Sequence, residues 1–226
     1  MDAEQELAIA GERLLLLPQR ALFWPAQRML VIADIHFGKA ASFRAGGIPV
    51  PRGTTTENLR ALDALIDRWQ AAHILFLGDF LHARHAHATA TMAAIAAWRM
   101  RRAGLQLTLV RGNHDRHAGD PPAGLAMQVV DEPWAIGPFL FAHHPDPQPH
   151  GYVLAGHVHP VYRLATRGDA LRLPCFLFGA TTALLPSFGA FTGGHPVMPA
   201  AGERLFVAAD DQVIEIPVRS LPLRAG

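Results

Sequence analysis

Residues 105–115 read LQLTLVRGNHD, an apolar stretch followed at once by a polar group. The apolar run predicts a short buried strand over Leu105–Val110. Taken alone, the group Asn113-His114-Asp115 is most simply a polar turn, because Asn, Asp and Gly are ordinary turn residues. In an open α/β sheet, however, ligands bind outside the carboxyl ends of the strands. The other strand ends of the chain therefore decide how this group is interpreted.

The first half of the chain alternates between apolar runs and helical spacing. Strands are predicted at Leu14–Leu17, Met29–Ala33, Ile74–Leu77 and Leu105–Val110, helices at Thr54–Trp69 and Thr89–Arg102, and a loop at Phe37–Pro51. A threonine is expected to cap the first helix, and Gly104 to end the second. This β-α-β-α-β order predicts parallel strands with helices on the faces of the sheet.

The second half carries little helical spacing and many short β candidates. They lie at Met127–Val130, Phe139–Ala142, Tyr152–Ala155, Val161–Ala165, Cys175–Phe178, Arg204–Ala208 and Gln212–Ile216. These runs predict a second, more antiparallel sheet packed against the first. We expect a single domain over residues 1–226, with a core of about residues 11–216.

Composition limits the class of protein. The chain has 226 residues, of which 50% are hydrophobic, a size and content that suit one α/β domain. Its one cysteine, Cys175, excludes an internal disulfide and fits a reducing cytoplasm. We expect no membrane span and no signal peptide, and the net charge of +1 indicates no particular partner. The predicted location is cytoplasmic.

Histidine is unusually frequent, with 13 in the chain, and imidazole is the commonest metal ligand in proteins. Several histidines follow apolar runs directly, as do carboxylates and an amide. The groups are Asp34-Ile35-His36, Gly78-Asp79, Asn113-His114, His143-His144 and Gly156-His157-Val158-His159. One such group arises often by chance, but five at successive strand ends predict a two-metal site. Nitrogen and oxygen ligands without thiolates suit Mn, Fe, Zn or Ni.

The series resembles the calcineurin-like metallophosphoesterase superfamily, whose motifs are D-x-H, G-D-x-x, G-N-H-[DE], an isolated His and G-H-x-H. The resemblance runs from about Leu14 to His159. It implies an α/β fold, a four-layer α/β/β/α sandwich of two mixed β-sheets flanked by helices, and hydrolysis of a phosphate ester.

The resemblance also implies the metal ligands. One ion would be held by Asp34, His36, Asp79 and His159, and the other by Asp79, Asn113, His143 and His157, with Asp79 bridging the two ions. His143 is favoured over His144 because the superfamily ligand follows the strand directly. A hydroxide between the metals would attack phosphorus in line. His114 would assist at the phosphate, and Asp115 would either orient His114 or cap a turn.

Further stretches resemble the bacterial ligase-associated DNA damage response endonuclease family, often called PdeM. They include HFGKAASFRAGGIPVPRGTT (residues 36–55), GDFLHARH (78–85), DEPW (131–134), AGHVHPVYRL (155–164) and SFGAFTGG (187–194), and the resemblance covers about Gly11 to Val207. This family implies a cytoplasmic, Mn²⁺-favouring phosphodiesterase that acts on DNA, with a functional link to a DNA ligase and a helicase.

Cations near the metal motifs are candidates for phosphate contacts. Lys39 and Arg44 are favoured, while Arg84 and Arg116 are more simply surface residues; Arg52 and Arg111 complete the set. His82 is a candidate phosphate or supporting residue. The aromatics Phe37, Phe43 and Trp134 either stack on unpaired bases or belong to the core.

Other functions stay open at this point. The same chemistry serves phosphodiesterases and pyrophosphatases of small nucleotides, and some proteins of this fold are non-catalytic scaffolds. The full ligand set and His114 speak against a scaffold. Single-stranded DNA is one candidate substrate, and exposed edge strands leave a homodimer open.

Overall fold

The computed structural model describes residues 3–45, 47, 53–82, 89–165, 170–189 and 192–217. These residues form two β-sheets and four α-helices. The helices are α1 Lys39–Ala45, α2 Thr54–Trp69, α3 Thr89–Arg101 and α4 Asn113–Ala118, with short 3₁₀ turns at Pro25–Gln27 and Ala123–Leu125. Within the described residues, no helix is both long and apolar enough to cross a membrane.

The first sheet has seven strands in sequence order, β1-β2-β3-β4-β5-β6-β7. They are β1 Gln5–Ile9, β2 Glu12–Leu17, β3 Ala21–Trp24, β4 Met29–Ala33, β5 His73–Leu77, β6 Gln106–Val110 and β7 Gln128–Val130. The first four strands pair antiparallel, and β4 to β7 pair parallel. All residues of β4 and β5 are buried, as expected for parallel strands that are covered on both faces.

The second sheet contains the remaining nine strands. They are β8 Trp134–Ile136, β9 Phe139–Ala142, β10 Tyr152–Ala155, β11 Pro160–Ala165, β12 Ala170–Phe178, β13 Thr182–Leu184, β14 His195–Pro196, β15 Arg204–Ala209 and β16 Gln212–Ile216. Their order is β14-β11-β12-β13-β10-β9-β8, with β15 pairing with β12 and β16. Strand β10 pairs parallel with both β9 and β13, and β11 pairs parallel with β14, so the sheet is mixed.

Two apolar clusters hold these layers together. One lies between the first sheet and helices α2 and α3, and includes Leu62, Phe76 and Trp98. The other lies between the sheets and includes Trp24 and Phe206. The two mixed sheets with flanking helices confirm the predicted α/β fold class, and the described residues form three of its four predicted layers. No described helix residue belongs to the apolar clusters on the other face of the second sheet, so the described helices cover the first sheet only.

Several sequence-based predictions of elements were wrong. The predicted loop Phe37–Pro51 contains helix α1. The N-cap of α2 is Gly53, with no side-chain cap from a threonine. Met127–Val130 yields β7, which extends the first sheet rather than the second. The sheet also begins before residue 11, because β1 pairs with β2 and buries Leu7.

Candidate metal centre

Parallel register brings the candidate ligands of the first sheet to one edge. Ala33 pairs with Leu77, and Leu77 pairs with Val110, so the residues that follow β4, β5 and β6 start side by side. In the second sheet, Ala142 pairs with Ala155, which places the residues after β9 and β10 side by side as well. These edges of the first and second sheets lie against each other, as the following contacts show.

The chain leaves these strands in an unusual backbone conformation. Five candidate ligands have a positive φ, namely Asp34 (51°), His36 (49°), Asp79 (47°), His157 (65°) and His159 (51°). Residues other than glycine rarely occupy this region, and such strain concentrates at functional sites. The turns therefore aim side chains inward at a conformational cost.

One group of donors consists of Asp34, His36 and His159, whose ligand atoms lie within 4.8 Å of one another. The Nε2 atoms of His36 and His159 are 3.4 Å apart, and His159 Nε2 is 3.5 Å from Asp34 Oδ2. His159 Nδ1 lies 3.1 Å from the Gly193 carbonyl oxygen, to which it can donate. That bond leaves the Nε2 lone pair directed at the group.

A second group surrounds His143, which is completely buried. Its Nε2 lies 2.8 Å from Asn113 Oδ1, 3.0 Å from His157 Nδ1 and 3.5 Å from Asp79 Oδ1. Its Nδ1 lies 3.2 Å from the Leu77 carbonyl oxygen and can donate to it. Asp79 also reaches the first group, since its Oδ2 is 3.7 Å from His36 Nε2. The two oxygens of Asp79 thus face the two groups.

Asp34 links the sheets as well as the donor groups. Its Oδ2 accepts a hydrogen bond of 2.8 Å from the backbone N–H of His157. Its Oδ1 is 3.5 Å from His143 Nδ1 but accepts no hydrogen bond. Asp34 is 0% exposed, and burial raises the pKa of Asp79 nearby. Buried carboxylates are costly without a compensating partner, and divalent cations supply one. The donor set therefore fits two divalent metal ions.

Two glycines permit this close approach. Gly78 has a φ of 71°, and a Cβ there would overlap the His143 ring and lie 2.9 Å from the Gly112 Cα. A Cβ on Gly112 would overlap Asp79 Oδ1. The motifs G-D and G-N-H thus require glycine because strand ends and ligand side chains meet here without space for a Cβ.

His114 lies beside the groups and is oriented by a backbone oxygen. Its Nδ1 is 2.7 Å from the carbonyl oxygen of His82, and the two rings stack at 4.9 Å. Its Nε2 lies 3.9 Å from Asp79 Oδ2, and its side chain is 39% exposed. The His82 ring is neutral near pH 7, since burial lowers its pKa to about 4.

Asp115 binds backbone N–H groups, while His114 Nδ1 faces the His82 carbonyl oxygen, so the geometry favours the turn cap over the orientation of His114. Its carboxylate accepts hydrogen bonds from the backbone N–H groups of Leu81 (3.1 Å) and Gly112 (3.0 Å). It is completely buried, which raises its pKa to about 6. The alternative of a turn cap describes it: Asp115 fixes the turns after β5 and β6 relative to each other.

Sequence reasoning missed Glu132, which holds the turn after β9. Its Oε2 accepts hydrogen bonds from the backbone N–H groups of His143 (2.7 Å) and His144 (2.8 Å). Its Oε1 lies 2.8 Å from His144 Nδ1. His144 also lies within 4.8 Å of ligand atoms of His143 and His157, at the rim of the site. The stretch DEPW carried a signal for Glu132, but no spacing rule connects it to His143.

Comparison with known proteins agrees with this geometry. The family model of the calcineurin-like phosphoesterases matches residues 27–157, which include six of the seven candidate ligands. The chain belongs to the calcineurin-like phosphoesterase family. It is therefore a metal-dependent phosphoesterase.

This phosphoesterase is similar to a nuclease of known structure. The Pseudomonas putida nuclease MPE is 48% identical, covers 91% of this chain and 96% of its own, and gives a TM-score of 0.83. The phosphoesterase Yfce from E. coli is 14% identical over 84% of this chain and 99% of its own, with a TM-score of 0.40. The comparison with curated proteins finds no match.

The cations around the phosphoesterase site differ in their surroundings. Burial lowers the pKa of Lys39, while the nearby Asp79 and Asp34 act to raise it. Arg44 lies in the last turn of helix α1 and lines a cavity together with residues at the N-terminus of α2. Arg111 binds Asp120 through two bonds and Asp131 through a third, so it does not face the substrate side as an open cation. Arg52 and Arg84 lie outside the described residues.

The aromatic candidates are mostly core. Phe37 is 1% exposed and packs edge-on against Phe80 at 5.1 Å. Trp134 packs against the cluster between the sheets. Phe43 is half-buried and contacts the His82 ring at 5.9 Å. Phe37 is therefore not available to stack on bases, and Trp134 is only partly exposed.

Proposed function

We propose that this phosphoesterase is a two-metal phosphodiesterase that cleaves DNA, in particular single strands. The observation that carries the two-metal part is the convergence of donors from five strand ends on two adjoining groups. The proposed ligands are Asp34, His36, Asp79 and His159 for one ion, and Asp79, Asn113, His143 and His157 for the other. The similarity to a nuclease over 91% of the chain supports a nucleic acid as the substrate, and the resemblance to the DNA damage response endonuclease family supports DNA.

Divalent ions bound here would acidify water to form the nucleophile and would neutralise phosphoryl oxygens. The residues of the chain supply the rest. Asp79 would hold both ions through its two oxygens. Asn113 contributes a neutral oxygen and so limits the negative charge that opposes an approaching phosphate.

His114 is the proposed general acid. The His82 carbonyl oxygen accepts from Nδ1, so the protonated form of the His114 ring would carry the transferable proton at Nε2. Nε2 faces the site near Asp79, where a leaving oxygen would lie. Proton transfer from a positioned histidine contributes about 10²–10⁴-fold in rate. Lys39 and Arg44 are proposed to contact phosphates of the substrate.

Manganese is the proposed metal, with Fe, Zn or Ni as alternatives that share the same donors. A cytoplasmic location and a role in DNA repair, linked to a ligase and a helicase, form part of the same proposal. They rest on the family resemblance of the stretches HFGK, DEPW and SFGAFTGG.

The test uses chelator-stripped protein reloaded with Mn²⁺ and closed circular single-stranded DNA. The native protein should linearise the circles, Asp79→Ala should not, and His114→Ala should be slower by about 10²–10⁴-fold. If the circles stay intact while a simple aryl phosphodiester is hydrolysed, the proposed phosphodiesterase chemistry stands and DNA is rejected as the substrate. Small nucleotides would then be the substrates to examine.

A further inference from the structure

Two arginines lie opposite each other on one hairpin, outside the donor groups described so far. Strand β11 begins directly after the candidate ligand His159 and pairs antiparallel with β12. In this register Arg163 lies directly opposite Arg172, and both are exposed. Like charges placed opposite each other destabilise a sheet. Such a pair is better explained when an anion lies between or across the two guanidinium groups.

No carboxylate in the described part of the chain pairs with either arginine. Arg172 instead donates from Nη2 to the Gly194 carbonyl oxygen at 2.6 Å. The neighbouring Gly193 carbonyl oxygen is the acceptor for His159 Nδ1. Arg172 therefore braces the same turn that orients a candidate metal ligand.

The face that carries the arginines can be assigned from strand alternation. Val161 and Arg163 share a face of β11, and Gly194 lies against Val161, since a Cβ on Gly194 would overlap the Val161 side chain. Arg163 and Arg172 thus point to the side where the turn at residues 193–194 supports His159. Leu164 and Leu171 occupy the opposite face.

The distance between the candidate ligand His159 and Arg163 suits a polymeric substrate rather than a small molecule. Arg163 follows His159 by four residues, of which Pro160 to Arg163 run along strand β11 for about 10 Å. This equals roughly three nucleotide steps at the rise of one B-DNA strand. A mononucleotide held at the metals would not extend that far, whereas a polynucleotide would.

We propose that Arg163 and Arg172 form a phosphate-binding subsite for nucleotides that flank the scissile bond. The hairpin then favours polynucleotides over small phosphodiesters. This inference rests on the proposed function, and its occupant is the sugar-phosphate backbone of a nucleic acid, chosen by charge complementarity.

The experiment compares Arg163→Glu with Arg60→Glu, which reverses the same charge at an exposed position on helix α2. Oligothymidylate is used as an inhibitor of aryl phosphodiester hydrolysis by the Mn²⁺-loaded protein, over a range of salt concentrations. For each lost phosphate contact, the slope of log affinity against log salt should become less steep by about 0.7. Arg163→Lys should keep the native slope, and thermal unfolding shows that each variant is folded.

The subsite is supported if Arg163→Glu loses more affinity for oligothymidylate than Arg60→Glu does. The loss of affinity in Arg163→Glu must also exceed its loss of aryl diester hydrolysis. If Arg163→Glu and Arg60→Glu have equal affinities for oligothymidylate while the native protein binds and cleaves DNA, the subsite is overturned and the proposed function stands. Native protein that neither binds nor cleaves DNA would overturn the proposed function and the subsite together. A change in the oligomeric state of Arg163→Glu without a change in affinity would assign the face to contacts between copies.

Discussion

Glu132 shows how one side chain outside the motifs can control a candidate ligand. Its carboxylate accepts three hydrogen bonds from the His143–His144 turn and is 18% exposed. Removing a buried acceptor leaves its donors unsatisfied and frees the turn to move. Supporting partners of metal ligands typically contribute 10–100-fold in metal affinity.

We therefore expect Glu132→Ala to weaken binding of one Mn²⁺ ion by about 10–100-fold. The measurement is the Mn²⁺ content and affinity of the purified variant, by mass spectrometry and calorimetry, beside the rate on an aryl phosphodiester. Asp131→Ala is the matched control, because Asp131 is next in the chain but binds Arg111 at the surface. Equal Mn²⁺ affinities in both variants would contradict the role of Glu132.

His73 couples stability to pH at a place remote from the ligands. It is 8% exposed, and its Nε2 lies 2.9 Å from Thr108 Oγ1. Burial lowers the pKa of His73 below the ordinary 6.5. Above pH 6.5, His73 is largely unprotonated in both the folded and the unfolded chain. Below it the unfolded chain binds a proton that the folded chain resists, so the free energy of unfolding falls as the pH falls.

His73→Gln should remove this contribution, because glutamine keeps a polar group near Thr108 and does not titrate. Between pH 7 and pH 5, unfolding by denaturant should show a shallower loss of stability in the variant, by up to about 1.4 kcal/mol per pH unit. His150→Gln, at an exposed position, should keep the native slope. A native slope in His73→Gln would show that other groups carry the dependence.

At the scale of elements, the turn after β5 depends on the absence of a side chain at Gly78. Its positive φ costs an alanine about 1–2 kcal/mol, and the added Cβ would also displace the His143 ring. We expect Gly78→Ala to lower the unfolding temperature and to weaken Mn²⁺ binding together. Gly104→Ala, with nothing within 4 Å of its Cβ, should be neutral or stabilising by about 0.4–1 kcal/mol.

Elements also show what the sequence could predict. Long apolar runs such as Met29–Ala33 and Phe139–Ala142 gave strands with the observed bounds, and the spacing of Thr54–Trp69 gave helix α2. Strands of two or three residues, such as β13 and β14, have no period to detect. Helix α1 was missed because glycine and proline around it indicated a loop.

In the candidate site, too, some residues could be predicted from the sequence and others could not. Parallel strands end at a common edge, so polar groups at strand ends predict neighbours in space, and that rule selected Asp34, Asp79 and Asn113. The His82 carbonyl and the Glu132 carboxylate act through contacts between segments that are distant in sequence. No local pattern encodes such contacts, which is why the sequence left Asp115 between orienting His114 and capping a turn.

For the molecule as a whole, the proposed metals would add a further link between two sheets that already meet through apolar packing and through hydrogen bonds such as that from the His157 N–H to Asp34 Oδ2. Asp34, Asp79 and Asn113 follow strands of the first sheet, and His143, His157 and His159 belong to the second. Binding that occurs only in the folded state stabilises by about 2.7 kcal/mol when the ligand is at 100 times its Kd. Without metal, Asp34 and Asp79 remain as buried carboxylates that destabilise the fold.

Two opposite effects of Asp79→Asn follow from this arrangement. In chelator the variant should unfold at a higher temperature than the native protein, because a buried charge has been removed at nearly constant shape. In saturating Mn²⁺ the order should reverse, because the native protein gains stability from ions that the variant holds poorly. Calorimetric unfolding of both proteins under both conditions measures the four values. Parallel shifts in the two proteins would show that Asp79 takes no part in binding metal, whatever the activity of the variant.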